Sequence, residues 1–136
     1  MTALVDTNVL VYAFDARNER KQQIAQTLLV DGVANESIQI AHQAVIEFFS
    51  VITRRALLRP DEARREAELL LTEYDVLYPN ELVLRTAMRG HAAYQLAWYD
   101  AHMWAYAEVF GLTTLISEDF QHDRMYGSVR AVNPFL

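Results

Sequence analysis

The chain has 136 residues, of which 52% are hydrophobic and 22% charged, the length and composition of one globular domain spanning 1–136. It has no cysteine, which excludes disulfide scaffolds, thiol catalysis and Cys-bound zinc, and His42, His91, His102 and His122 form no zincin pattern. The net charge is −6, opposite in sign to a simple basic nucleic-acid binder.

In chain order, Thr2 to Asp6 reads as a short apolar strand that ends in an acid. Its lack of a basic region argues against a signal peptide. The apolar run Val9 to Phe14 is far too short to span a membrane, so a cytoplasmic protein is expected. Thr7-Asn8 starts a helix to about Phe14, and Asn18 to about Val33 is helical. Ser37 to Ala41 alternates as a strand does, and His42 to Leu57 is an apolar helix. Pro60-Asp61 opens another helix, since proline is tolerated in a first turn. Asp75 to Tyr78 is a strand stopped by Pro79, and Asn80 caps a helix to about Leu96. Tyr99 or Asp100 starts the next helix, which Gly111 ends. Leu112 to Ile116 and Val129 to Val132 are the last strands, joined by a polar loop with Gly127.

Strands alternating with helices predict parallel β-α-β units. The expected architecture is α/β: three α/β/α layers around a central, mainly parallel sheet of about 4–5 strands. In such sheets ligands bind beyond the carboxyl ends of the strands. Asp6 and Asp119 fall at two such ends, and Asp100 lies in the first turn of its helix. Read singly, Asp100 is better taken as a helix cap. Glu47 shares a polar stripe with Gln43, Ser50 and Arg54, and read singly it is equally a solvated acid beside Arg54 or Arg55. Together the four acids point elsewhere. Converging carboxylates repel one another unless a positive charge sits among them, and a hard dication with oxygen ligands, Mg²⁺ or Mn²⁺, suits that role.

The segment Val5-Asp6-Thr7-Asn8-Val9-Leu10-Val11-Tyr12-Ala13-Phe14-Asp15 resembles the opening of a PIN domain. Ser117-Glu118-Asp119-Phe120-Gln121-His122 and Val132-Asn133-Pro134-Phe135 resemble that family's C-terminal third. With Glu47 and Tyr99-Asp100-Ala101 between them, the order Asp, Glu, Asp, Asp matches the family pattern over essentially the whole chain. D-T-N alone is a weak signal; with the other acids and S-E-D-F it is strong.

The resemblance implies a metal-dependent ribonuclease, and the chain's length is similar to that of VapC-type toxins of toxin–antitoxin pairs. It implies that Asp6, Glu47, Asp100 and Asp119 hold one or two Mg²⁺ or Mn²⁺ ions and cleave an RNA phosphodiester with a metal-activated water. Thr7, Asn8 and Ser117 would support the site by hydrogen bonds. It also implies a homodimer and a cognate antitoxin, which commonly places a basic side chain in the acidic site. Asp123 departs from the pattern, because many relatives have glycine there. It is expected at the periphery of the site, and His122 is expected to be a loop residue rather than a general base.

Lys21 is the only lysine beside eleven arginines, and Arg17, Arg20, Arg54, Arg55 and Arg124 are candidates to meet substrate phosphates. RNA affinity would then fall with salt. The apolar side chains of Val45–Leu57 and Leu69–Leu71 are expected to be mostly core. The competing reading is a catalytically inactive PIN-like module that acts through RNA or protein contacts. A receiver domain would need a lysine at a late strand end, and a haloacid-type phosphatase would need two aspartates separated by one residue after the first strand. The sequence has neither.

Overall fold

The computed structural model describes residues 2–136. In chain order the elements are β1 (Ala3–Val5), α1 (Thr7–Tyr12), α2 (Glu19–Ala34), β2 (Ile38–Ala41), α3 (His42–Arg54) and α4 (Pro60–Glu73). They continue with β3 (Val76–Leu77), α5 (Glu81–Tyr94), α6 (Trp98–Phe110), β4 (Thr114–Ile116), β5 (Met125–Tyr126) and β6 (Val129–Val132). The sheet has six strands in the order β3-β2-β1-β4-β6-β5. All pairings are parallel except β5 with β6.

The strand beyond the expected 4–5 is β5, two residues within the stretch read as a polar loop. Met125 pairs with Arg130 and Tyr126 with Val129, and Gly127 turns the chain with a φ of 62°, a conformation glycine adopts at little cost. So short a hairpin leaves almost no alternation in the sequence. Helix α6 begins at Trp98, with Ala97 as N-cap and no side-chain cap bond. Asp100 is therefore not the cap residue, and its carboxylate is left for other contacts.

The centre of the sheet is fully apolar. Leu4, Val5, Ile40, Leu115, Val129 and Ala131 are buried, as strands covered on both faces must be. The α5–α6 pair depends on Gly90, since a Cβ there would lie 2.3 Å from the Trp104 ring. Trp104 in turn donates its indole N–H to the carbonyl of Tyr126 at 2.8 Å. That bond ties α6, and with it Asp100, to the far edge of the sheet.

The order of strands decides where a ligand goes. The chain builds β1, β2 and β3 outward in one direction and then returns to place β4 on the other side of β1. The reversal lies between β1 and β4, and crevices at such reversals are where open α/β sheets bind ligands. Val5 pairs with Ile116, so the next residues of each strand, Asp6 and Ser117, emerge side by side. The Asp6 amide donates to the Ile116 carbonyl at 2.9 Å, and the Ser117 amide to the Val132 carbonyl at 3.0 Å.

A candidate metal centre at the carboxyl edge

Asp6 ends β1 and caps α1. Its Oδ1 accepts from the Thr7 amide at 2.7 Å, and its Oδ2 accepts from the Ser117 hydroxyl at 2.6 Å. The Ser117 oxygen then accepts from Asn8 Nδ2 at 3.1 Å and from the Asp119 amide at 3.0 Å. Asn8 Nδ2 also donates to Asp119 Oδ2 at 3.0 Å. Ser117 is fully buried, so this small network fixes Asp6 and Asp119 against each other. Asp100 comes from the first turn of α6 on the opposite side. One carboxylate oxygen each from Asp6, Asp100 and Asp119 lies within 4.8 Å of the others.

Glu47 on α3 lines the same cleft but stands outside this group of three. Its Oε1 accepts from Gln43 Nε2 at 2.5 Å, and Gln43 also donates to the Tyr99 carbonyl at 3.1 Å. Gln43 thus bridges α3 to the start of α6. Glu47 makes no ion pair with Arg54 or Arg55 among the described residues, contrary to the solvated-face reading.

The electrostatics follow from crowding. Burial pushes the Asp6 carboxyl up from 3.8 to about 7, against the Ser117 and Thr7 hydrogen bonds and helped by the charges of Asp119 and Asp100. Asp100 rises to about 6, mainly through burial and then through Asp119 and Glu47. Glu47 is also raised, first by burial, with the Gln43 bond opposing and Asp119 adding to it. Such a cluster is costly when empty of cations. The donor set is all oxygen, which fits a hard dication. The Thr7 hydroxyl is buried beside the acids, with no hydrogen bond of good geometry among the described residues, and it lies close enough to Glu47 to oppose the rise in its pKa. These residues fit a divalent metal.

Asp123 is not brought to the cleft. It is exposed, its carboxylate lies 3.3 Å from His122 Nε2, and its amide donates to the Ala131 carbonyl. Its φ is +63°, the left-handed region in which glycine is at ease and Asp is among the tolerated exceptions. The backbone there would suit glycine and tolerates Asp. His122 is occupied as a loop residue and accepts from the Asn133 amide at 3.0 Å.

Of the five candidate arginines, only Arg55 lines the cleft. Arg17 is spent on Asp15 at 2.9 Å, Arg20 on the Phe135 carbonyl, and Arg124 lies 4.6 Å over the Tyr126 ring. Arg54 is exposed and outside the cleft. The sequence reading missed a second cluster on the cleft wall. Glu118 accepts from the Tyr12 hydroxyl at 2.6 Å and from Lys21 Nζ at 2.7 Å. The lone lysine was the available signal, but only the fold brings residues 21 and 118 together. Of the apolar stretches expected to be mostly core, Val45, Phe48, Ile52 and Leu70 are buried and Val51 and Leu57 pack against them, while Ile46 (59%), Phe49 (39%), Leu69 (40%) and Leu71 (43%) are exposed.

The family model described as PIN domain matches residues 3–128. No sequence among the curated proteins matches the chain. Among solved structures, a chain of a toxin–antitoxin complex from Klebsiella pneumoniae is similar at a TM-score of 0.68 and 19% identity, covering 98% of each chain. VapC20 of Mycobacterium tuberculosis, described as a sarcin–ricin-loop-cleaving toxin, is similar at 0.67 and 16% identity, covering 84% of this chain and 87% of that one. VapBC2 from Rickettsia felis, bound to a promoter DNA fragment, is similar at 0.70 and 12% identity, covering 96% and 97%. At these identities the likeness is one of fold.

Proposed function

The chain belongs to the PIN domain family, and from that premise we propose that residues 1–136 form a single metal-dependent endoribonuclease domain, the toxin of a toxin–antitoxin pair. The observation that carries this reading is the convergence of Asp6, Asp100 and Asp119 oxygens within 4.8 Å at the reversal point of the sheet. Mg²⁺ or Mn²⁺, held by these three acids with Glu47 at the margin, would supply positive charge to the phosphate and lower the pKa of a water. Water adds to phosphorus, one P–O bond breaks, and the leaving oxygen takes up a proton.

The chain's own residues do the orienting. Ser117 and Asn8 hold Asp6 and Asp119 in fixed rotamers. Glu47, half-buried and with its pKa raised, would serve to take a proton from the attacking water. A cognate antitoxin and a homodimer are the partners that fit the exposed apolar side chains. Phe14, Leu29, Val30 and Leu69 line an apolar hollow between α2 and α4 of a kind that takes a partner helix. No helix among the described residues is long and apolar enough to cross a membrane, and action on RNA implies a cytoplasmic location.

The test is cleavage of a structured RNA pool by purified protein with Mg²⁺, with Mn²⁺ and with chelator, beside Asp100→Asn. Metal-dependent cuts that the variant lacks support the reading. No cuts under either metal, with no metal binding by calorimetry, would favour an inactive binding module; metal binding without cuts would point to the wrong RNA or to antitoxin carried through purification.

A further inference from the structure

Lys21 is the one lysine of the chain, and the site just described makes no use of it. Nor does that site use Glu118, although Glu118 stands between Ser117 and Asp119 and lines the cleft. The converging oxygens are those of Asp6, Asp100 and Asp119. The Glu118 carboxylate is instead closed into a ring of three side chains. Its Oε1 accepts from the Tyr12 hydroxyl at 2.6 Å and its Oε2 from Lys21 Nζ at 2.7 Å, and Lys21 Nζ also donates to the Tyr12 oxygen at 3.2 Å. The Lys21 and Glu118 side chains are only 26% and 22% exposed, so salt screens this pair less than one on the open surface.

The ring is backed by the end of the chain. Lys21 Nζ lies 4.7 Å over the Tyr12 ring and 5.4 Å over the Phe135 ring, and the two rings meet edge-on at 5.0 Å. Arg20 donates to the Phe135 carbonyl. The Lys21 amide donates to the Asn18 cap oxygen at 3.1 Å, which roots the lysine in the first turn of α2.

Its place in the fold gives the ring a consequence. Helix α1 has six residues, and so short a helix is marginal by itself. Its start is tied to the loop after β4 by the Ser117–Asp6 and Asn8–Asp119 bonds. Its end, at Tyr12, is tied to the same loop through Glu118. The loop is thus pinned to both ends of α1. Asp119 is the exposed member of the three converging acids, whereas Asp6 is buried, so Asp119 depends most on its neighbours for position. We propose that Lys21, Tyr12 and Glu118 form a latch that positions Asp119 against Asp6 for metal binding. They are positioning residues, acting through the 117–119 loop. The inference rests on the metal centre of the nuclease reading above.

The direction of one effect tests it. Removing a cation bonded to a residue of the cleft wall would, by charge alone, tighten the binding of a metal cation. A merely structural contact would lower stability and leave metal affinity unchanged. A lost latch does the opposite of the first, because ligands deprived of an outer support hold metal about 10–100-fold more weakly. Calorimetric titration of the purified chain with Mn²⁺ and with Mg²⁺ reads this without RNA, at a temperature where thermal unfolding in chelator shows each variant folded.

Lys21→Met should weaken metal binding about tenfold or more. Lys21→Arg keeps a cation and its donors and should recover most of the loss. Tyr12→Phe should weaken binding less, because it removes one donor and leaves the ring beneath Lys21. Arg17→Ala breaks the neighbouring pair with Asp15 and is the control: stability falls while metal affinity stays. In RNA cleavage, Lys21→Met should need more Mg²⁺ for half-maximal rate and regain its rate at saturating metal. If wild-type protein binds metal and Lys21→Met binds it equally or more tightly, the latch is wrong and the metal centre stands. Tyr12→Phe changes no charge and decides the question if Lys21→Met does not fold, since binding equal to wild type then overturns the latch. If wild-type protein binds neither ion, the metal centre falls and the latch with it.

Discussion

Both rims of the sheet carry acids around a hollow, and only one of them is arranged as a site. At the amino ends of the strands, Glu36, Glu73 and Asp75 lie with Thr2 and Gln39 around a depression. At the carboxyl ends, Asp6, Asp100 and Asp119 converge within 4.8 Å. The first set includes no such convergence among the described residues. Asp75 there takes a hydrogen bond from Gln39 at 2.5 Å. The difference follows from the direction of the helices. Helices α1, α3 and α6 begin at the carboxyl rim, where the partial positive charge and unpaired amides of helix N-termini favour anions. Helices α2 and α4 end at the other rim, where carbonyls point outward and carboxylates gain nothing by gathering. Acid content alone does not make a metal centre; convergence does.

Neutralising acids one at a time on each rim separates the two most strongly. Asp6→Asn and Asp100→Asn should each lower RNA cleavage by roughly a hundredfold or more, whereas Asp75→Asn should leave it unchanged. Equal loss from Asp75→Asn in a cleavage assay would mean that the site extends through the sheet or lies elsewhere.

Ser117→Ala should come next in size. It removes the donor to Asp6 and the acceptor for Asn8 and for the Asp119 amide, all around a fully buried residue. A loss of about 1–3 kcal/mol in unfolding free energy is expected, with metal affinity weakened about 10–100-fold because the ligands lose their orientation. Urea unfolding and calorimetric metal titration read the two effects separately.

The metal-free protein should also reveal the crowding at the carboxyl rim through pH. The Asp6 carboxyl has its pKa near 7 in the fold and 3.8 as the ordinary value. Between those values the folded state keeps a proton that the unfolded chain has released. Stability therefore falls as pH rises through this window and levels off above it. Thermal unfolding in chelator should show Tm dropping from about pH 4 to about pH 7, and Asp6→Asn should flatten the drop. Saturating metal should reverse the trend, since the cation favours ionised ligands. A wild-type Tm that rises over the same range without metal would remove burial as the controlling influence.

The smallest effect is expected at Asp123. Its carboxylate is exposed and paired only with His122. Asp123→Gly relieves a left-handed backbone but adds chain entropy on unfolding, so stability should change by no more than about 0.5 kcal/mol and cleavage not at all. A clear fall in kcat would return Asp123 to the site.

Much of this was readable from local pattern. The apolar strand ending in Asp6, the Asn80 cap, the Gly111 stop and the β-branched run before Ser117 each announce an element by short-range chemistry, and the D-T-N and S-E-D-F segments mark where the acids stand. Some positions were unreadable because the deciding contact is distant in sequence. Two-residue β5 has too few residues to alternate. Lys21 meets Glu118 across 97 positions, and Gly90 matters only because Trp104 fills the space above it. Arg17, Arg20 and Arg124 looked as suitable for phosphate as Arg55 until their partners were placed.

The class of fold, the order of its elements and the four candidate acids are legible in the residues alone, because hydrophobic period, caps and breakers act over a few residues. Packing at long range sets the rest: β4 returns to the side of β1, three of those acids converge while Glu47 stands at their margin, and Asp123 lies outside the cleft. Strand order is set by the packing of whole layers, and a carboxylate's neighbours are set by that order rather than by its place in the chain.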